Sequence, residues 1–239
     1  MYRVKMKLPT ISINTDILKI IALVTMTIDH IATFLDFIPY SDVGRYIGRT
    51  SFPIFAFLLM KHLSQKQIYK KYIIRLSIFG VITMLVLLPF YGEVKVNPIF
   101  PFNIMFTFLI AVLALFVYNK VKNGQFSHSW KQRCLRFSFF CFGLMAFISQ
   151  YSVEGFCYLI TIYFYYLKPS KLKYLLILVF SILFNVIDFG WIVSFVTTFI
   201  LLQLDSNKQY PRIIKHWWSW YVYYPLHLFI LLMLSSIYG

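Results

Sequence analysis

Residues 18–59 read LKIIALVTMTIDHIATFLDFIPYSDVGRYIGRTSFPIFAFLL, two apolar segments interrupted by Asp29-His30 and then by Arg45 and Arg49. About 20 apolar residues at 1.5 Å rise cross a bilayer core, so both segments suit transmembrane helices. An Asp or Arg at a helix centre costs roughly 2.5–3.5 kcal/mol on insertion scales, and such groups turn toward protein rather than lipid. Four ionisable groups so close together mark a polar site inside a membrane protein.

Composition extends that pattern to the whole chain. Of 239 residues, 60% are hydrophobic and only 13% charged, with 26 Phe and 18 Tyr, which suits an all-α polytopic integral membrane protein and not a water-soluble globule. No shift in composition divides the sequence, so residues 1–239 are expected to form a single transmembrane domain. The basic segment before the first apolar stretch lacks a small-residue cleavage site, so that stretch is expected to stay as a true span. Cys134, Cys141 and Cys157 have neither zinc-site nor redox-pair spacing and are expected to be free packing residues. No Walker loop, dinucleotide fingerprint, Ser-centred elbow or histidine-rich metal motif occurs, so phosphotransfer, redox chemistry and zincin hydrolysis have no support and no metal site is expected.

Apolar stretches near 17–38, 46–63, 72–90, 101–118, 134–150, 153–167, 172–188, 189–204 and 217–238 predict about nine transmembrane helices, within a range of eight to ten. The Lys and Arg positions test this count. Twenty of the 23 fall on one side of the predicted bundle, in the segments around 3–19, 61–75, 120–136, 168–173 and 208–215. Only Arg45, Arg49 and Lys95 fall on the other. The positive-inside rule then places the amino terminus in the cytoplasm and the carboxyl terminus outside. The net charge of +15 is thereby explained by loops facing an anionic leaflet, so membrane lipid is an expected partner and nucleic acid is not. Asp36, Asp42, Glu93, Glu154 and Asp188 map to the outer side with Arg45 and Arg49.

Asp29 is thirteenth in its predicted span, roughly 20 Å from the cytoplasmic end. Thr25, Asp29 and Thr33 recur at i, i+4 and predict one polar stripe, with His30 about 100° round the helix. Arg45, Arg49 and Pro53 repeat the spacing and predict two guanidinium groups on one face at the outer end of the second span. In the last span, Tyr223-Tyr224-Pro225-Leu226-His227 puts a histidine near mid-membrane, and Asn103, Thr107 and Asn185 fall in the outer half. Together these predict a polar cavity open outward. A histidine is the usual general base near neutral pH, and a carboxylate fixes its tautomer or raises its basicity. Adjacent helical residues diverge, so Asp29 has the arginines as an alternative partner to His30. A buried ion network that only fixes helix packing is the alternative for Asp29, Arg45 and Arg49, and a satisfied core histidine is the alternative for His227. His62, His128 and His216 lie in basic loops and are expected at the surface, while Trp217, Trp218 and Trp220 predict an inner-interface belt.

The stretches Leu18-Lys19-Ile20-Ile21-Ala22, Met26-Thr27-Ile28-Asp29-His30, Arg45-Tyr46-Ile47-Gly48-Arg49 and Phe52-Pro53-Ile54-Phe55 resemble the TraX family of membrane proteins, as does the ending Tyr221-Val222-Tyr223-Tyr224-Pro225-Leu226-His227-Leu228. Asn103-Ile104-Met105-Phe106-Thr107 and the region near Tyr151 and Gly155 add weaker likeness. The family takes its name from the conjugal-transfer protein that acetylates the amino-terminal residue of F-type pilin. This chain departs from the family where Gln150-Tyr151 replaces the frequent Asp-Tyr, which leaves Glu154 as a substitute acid.

The resemblance implies a membrane acyltransferase that takes acetyl from cytoplasmic acetyl-CoA and passes it to an extracytoplasmic protein or glycan acceptor. His30 would be the base, Asp29 its orienting or charging partner, Arg45 and Arg49 the oxyanion or acceptor contacts, and His227 the reserve base. Asn103, Thr107, Tyr224, Glu154 and Asn185 would line the substrate cavity. The amino terminus of a secreted or membrane protein is the leading acceptor. O-acetylation of a surface glycan is the alternative within enzymes. A transporter or immunity-type membrane protein is the alternative outside them, although no internal repeat supports transport.

Overall fold

The computed structural model describes residues 11–35, 41–90, 103–124, 127–183, 185, 190–205, 211, 213, 216 and 218–238. Each of the nine predicted apolar stretches coincides with a helix. These are α1 (Thr15–Phe34), α3 (Ser51–Lys66), α4 (Tyr69–Leu87), α5 (Ile104–Asn123), α6 (His128–Ala146), α7 (Ser152–Leu167), α8 (Lys171–Leu183), α9 (Trp191–Gln203) and α10 (Ser219–Tyr238). A tenth, α2 (Ser41–Gly48), was not predicted. Among the described residues four helices are long and apolar enough to cross a membrane: Thr15–Phe34, Tyr69–Phe90, Ile104–Asn123 and Ser219–Ile237. The all-α expectation needs one amendment, a two-residue parallel pairing of Ile11–Ser12 with Leu204–Asp205. Asp36, Glu93, Lys95, Asp188, Trp217 and Gly239, all placed by the charge and belt arguments, lie outside the described residues.

Local chemistry sets the helix limits. The Asn14 side chain accepts from the Asp16 N–H at 2.8 Å and starts α1, and Asn103 caps α5 in the same way through Met105. Residue Gln67 ends α3 in the left-handed region at φ 51°. The break between α2 and α3 follows from Pro53, which lacks the N–H that would bond the Arg49 carbonyl and whose ring would crowd it in a continuous helix. The chain instead closes two tight turns, Arg49 N–H to Tyr46 O and Thr50 N–H to Ile47 O, both 3.1 Å. In the first turn of α3, Pro53 then sits where no intrahelical donor is required.

The core centres on α3, α5 and α7, where Phe52, Met60, Leu115, Tyr158 and Leu159 are fully buried. Buried hydroxyls there are paired, Tyr69 with Tyr163 at 2.6 Å and Tyr158 with Thr198 at 2.8 Å. Outward faces are apolar instead: Phe137, Phe140 and Phe147 on and beside α6 are largely exposed, the distribution expected where lipid is the solvent. Helix α2 packs on α1 through small residues four apart. A Cβ on Gly44 would come within 2.7 Å of Ala32 Cβ, and one on Gly48 would overlap Asp29.

One end of the bundle gathers the basic segments. There the Asn14 amide donates to Pro211 O, the Asp16 carboxylate accepts from Lys19 and from the Ile213 N–H, and Asn119 reaches Gln67. Lys19 also lies 4.8 Å from the Trp220 ring. Lys61 departs from the loop expectation: it is buried, with its ammonium group over the rings of Phe57 and Tyr166. The three cysteines are free.

Candidate active site

Helices α1 and α10 lie side by side, and two polar bridges join them. Thr27 donates to its own helix at Leu23 O, so the Tyr223 hydroxyl must donate to Thr27 Oγ1 at 2.6 Å. One turn further, His30 Nδ1 meets His227 Nε2 at 2.7 Å, with ring planes inclined by 17°. The other ring nitrogen of His227, Nδ1, lies 2.9 Å from the Tyr223 carbonyl oxygen. A carbonyl only accepts, so Nδ1 of His227 carries a proton. In the neutral ring Nε2 is then the acceptor, and His30 Nδ1 must donate to it. The remaining nitrogen, His30 Nε2, keeps a lone pair. The half-buried His30 ring also tilts against Phe34 and Tyr224.

Asp29 turns the other way. It faces α2, where Gly48 leaves room for it, and it acts electrostatically on the hydroxyls of Tyr151 and Tyr224. The Arg49 guanidinium donates to the same Tyr151 hydroxyl. Tyr151 is stacked on Phe52 with centroids 3.9 Å apart. Tyr224 joins both halves of the site: its ring contacts His30 and His227, while its hydroxyl accepts the Ile104 N–H at the start of α5. Carboxylate, guanidinium and two phenols thus form one cluster beside the histidine pair.

Arg49 does not share a helix face with Arg45, contrary to the predicted i, i+4 arrangement. Arg45 stands exposed on α2, and Arg49 occupies the turn that Pro53 enforces. The carbonyl freed by that turn is used elsewhere: Ser194 Oγ donates to Arg49 O at 3.3 Å, and Asn185 Nδ2 donates to Ser194 Oγ at 2.6 Å. Gly190 completes the clamp, since a Cβ there would lie 2.6 Å from Arg49 Cγ. Asn185, expected to line the cavity, is therefore a buried support of the Arg49 turn.

The other predicted residues divide. Asn103 is buried, with its oxygen capping α5 and its amide donating to Gly80 O at 3.0 Å. Thr107 is buried one turn further, and its hydroxyl has no hydrogen-bond partner among the described residues. Glu154 sits in the first turn of α7 and makes no hydrogen bond to His30 or Arg49 among the described residues. The stripe of Thr25, Asp29 and Thr33 is not a lining, because Thr25 donates to Ile21 and Ala22 carbonyls and Thr33 to Asp29 O. His62 is half-buried with its ring edge on Tyr72, while His128 and His216 are exposed as expected. Among the described residues no three His, Cys, Asp or Glu side chains group as metal ligands.

Sequence reasoning missed Thr27, Tyr151, Ser194 and Gly190 as parts of the site. For Ser194 the signal was present in Pro53, which orphans the carbonyl four residues earlier and obliges some donor to reach it.

Comparison with known proteins places this geometry. A family model described as TraX protein matches residues 14–235. A probable fimbrial assembly protein, FimC of serogroup H1 from Dichelobacter nodosus, is 30% identical over 112 residues, 42% of this chain and 44% of the relative. The chain thus spans less than half the length of that curated relative. No solved structure matches.

Proposed function

We propose, because this chain belongs to the TraX family and carries the paired histidines, that it is a membrane acyltransferase serving pilus or fimbrial assembly. The acyl donor is cytoplasmic acyl-CoA, acetyl-CoA in the simplest case. The acceptor is the amino terminus of a secreted or membrane-anchored subunit, presented from outside a bacterial inner membrane. The Dichelobacter nodosus relative, a probable fimbrial assembly protein, supports this choice of acceptor.

The observation that carries the reading is the relay from His30 Nδ1 through His227 to the Tyr223 carbonyl, 2.7 Å and 2.9 Å long. It leaves His30 Nε2 as an oriented base, in the way a third group orients a catalytic histidine elsewhere. In the proposed step the acceptor nitrogen attacks the thioester carbonyl carbon while His30 Nε2 takes the proton it sheds. The oxyanion that forms is stabilised by the Arg49 guanidinium. The carbon–sulfur bond then breaks, and the CoA thiolate leaves with the proton returned from His30. Tyr151 accepts from Arg49 and helps to hold it in place, Asp29 acts on the same hydroxyl, and Arg45, exposed on α2, contacts an acidic acceptor segment.

Mass spectrometry of surface-protein amino termini, in cells with and without the gene, tests the reading. An acetyl group that disappears with the gene from a pilus or fimbrial subunit supports it. Acetyl loss from surface glycans alone would assign O-acetylation instead. Unchanged proteins and glycans, together with purified protein that releases no CoA from acetyl-CoA, would sink acyl transfer altogether.

A further inference from the structure

A cavity lies at the basic end of the bundle, away from the histidine pair. It has a volume of about 670 Å³, between the turn joining α3 to α4 and the last turn of α5. That is within the range of small-molecule sites, roughly 300–1,000 Å³. Lys70 and Lys71 line it from the first turn of α4 and Lys120 from α5, and no carboxylate lines it among the described residues. Near this end Asp16 is already bound by Lys19 and the Ile213 N–H.

Two amide oxygens of the lining are already engaged as acceptors. Gln67 Oε1 accepts from Asn119 Nδ2 at 3.1 Å, and Asn119 Oδ1 accepts from Asn123 Nδ2 at 3.5 Å. The Gln67 amide N–H groups remain. Ile68 precedes α4 without a side-chain cap, and two lysines follow it at the positive end of the helix dipole, against their electrostatic preference. An anion in the cavity relieves that arrangement. Phe116 and Tyr69 add aromatic surface, with the Lys120 ammonium group 5.9 Å from the Phe116 ring. From Phe116 to Ile104 is about 18 Å along α5 at 1.5 Å per residue, and the Ile104 N–H meets Tyr224 beside His30. An extended pantetheine arm covers such a span.

We infer that this cavity binds the phosphates and adenine of the acyl-CoA donor. The inference rests on the acyl-CoA reading above and adds a binding site for the donor's nucleotide end, remote from the acyl-transfer residues.

Calorimetric titration of coenzyme A into the full chain in detergent tests it, with Lys70→Gln/Lys120→Gln compared against Lys168→Gln/Lys171→Gln. Both pairs remove two exposed charges from the same end, and size-exclusion elution checks that each variant is folded. Loss of affinity by about tenfold or more in the first pair and little in the second is expected, from the strength of charge-assisted phosphate contacts. The wild type should also bind 3′-dephospho-CoA more weakly than CoA. Equal losses in the two pairs, or none in either, would overturn the site while leaving the acyl-CoA reading intact. Loss of co-purified anionic phospholipid instead of CoA in the first pair would make the cavity a lipid-headgroup site and also overturn it. A wild type that neither binds CoA nor releases it from acetyl-CoA would remove the donor reading and the site together.

Discussion

Gly48 lies against Asp29 with no room for a methyl group: a Cβ built on Gly48 would overlap Asp29 Cβ and come within 2.5 Å of Asp29 Cγ. Glycine costs a helix about 1 kcal/mol relative to alanine, and nothing in the backbone of α2 demands it. The close approach to Asp29 does. Gly48→Ala should therefore destabilise the protein by about 1–3 kcal/mol through overpacking despite the gain in helix propensity. It should also displace the carboxylate that acts on Tyr151 and Tyr224. A thermal melt in detergent decides the sign; a raised midpoint would show that α1 and α2 separate freely.

His30→Ala should lower acyl transfer by about 10²–10⁴, the usual contribution of a general base, while the protein still inserts and folds. His227→Ala should cost less, because it removes the acceptor that fixes the His30 tautomer but leaves the base itself. Tyr223→Phe keeps the carbonyl that orients His227 and breaks only the hydroxyl bridge to Thr27, so a stability loss of about 1 kcal/mol and near-normal turnover are expected. His128→Ala should be neutral. Full activity in His30→Ala with none in His227→Ala would move the base to α10.

The helices were legible because lipid demands long apolar segments, and each predicted stretch from 17–38 to 217–238 holds a helix. The polar site was legible by residue and not by partnership. The sequence left Asp29 a choice between His30 and the arginines, and the 100° step per residue sends Asp29 toward α2 and His30 toward α10. Long-range contacts such as His30 with His227 or Arg49 with Ser194 lie beyond any periodicity. The α2–α3 break was written in Pro53, yet the apolar run from Tyr46 onward conceals it.

Arg49→Lys should abolish or severely reduce transfer with little change in stability. Lysine keeps the charge but loses the planar fork that holds Tyr151 and, in the proposed step, an oxyanion. Ser194→Ala removes both the bond to the Arg49 carbonyl and the acceptor of the buried Asn185 amide, and should cost about 1–3 kcal/mol of stability with a smaller loss of rate. Arg45→Ala, at an exposed position, should affect acceptor affinity more than turnover. Steady-state kinetics on the three variants separates these outcomes, and normal turnover in Arg49→Lys would exclude two-point contact at Arg49.

The arrangement of the two ends makes the last prediction. The hydrogen bonds that join Asn14 to Pro211 and Asn119 to Gln67 gather the basic segments at one end, while the histidine pair lies toward the opposite end of α1. Positive-inside bias, with twenty basic residues against three in the sequence, predicts that the first end faces the cytoplasm. In a background with Cys134, Cys141 and Cys157 replaced by alanine, Lys70→Cys should react with an impermeant maleimide only after the membrane is permeabilised. Gly239→Cys should react in intact cells, since an odd number of spans separates it from the amino terminus. The reverse pattern would turn the histidine pair toward the cytoplasm. The acceptor would then have to be cytoplasmic too, and amino-terminal acetylation of an already exported subunit could not be the reaction.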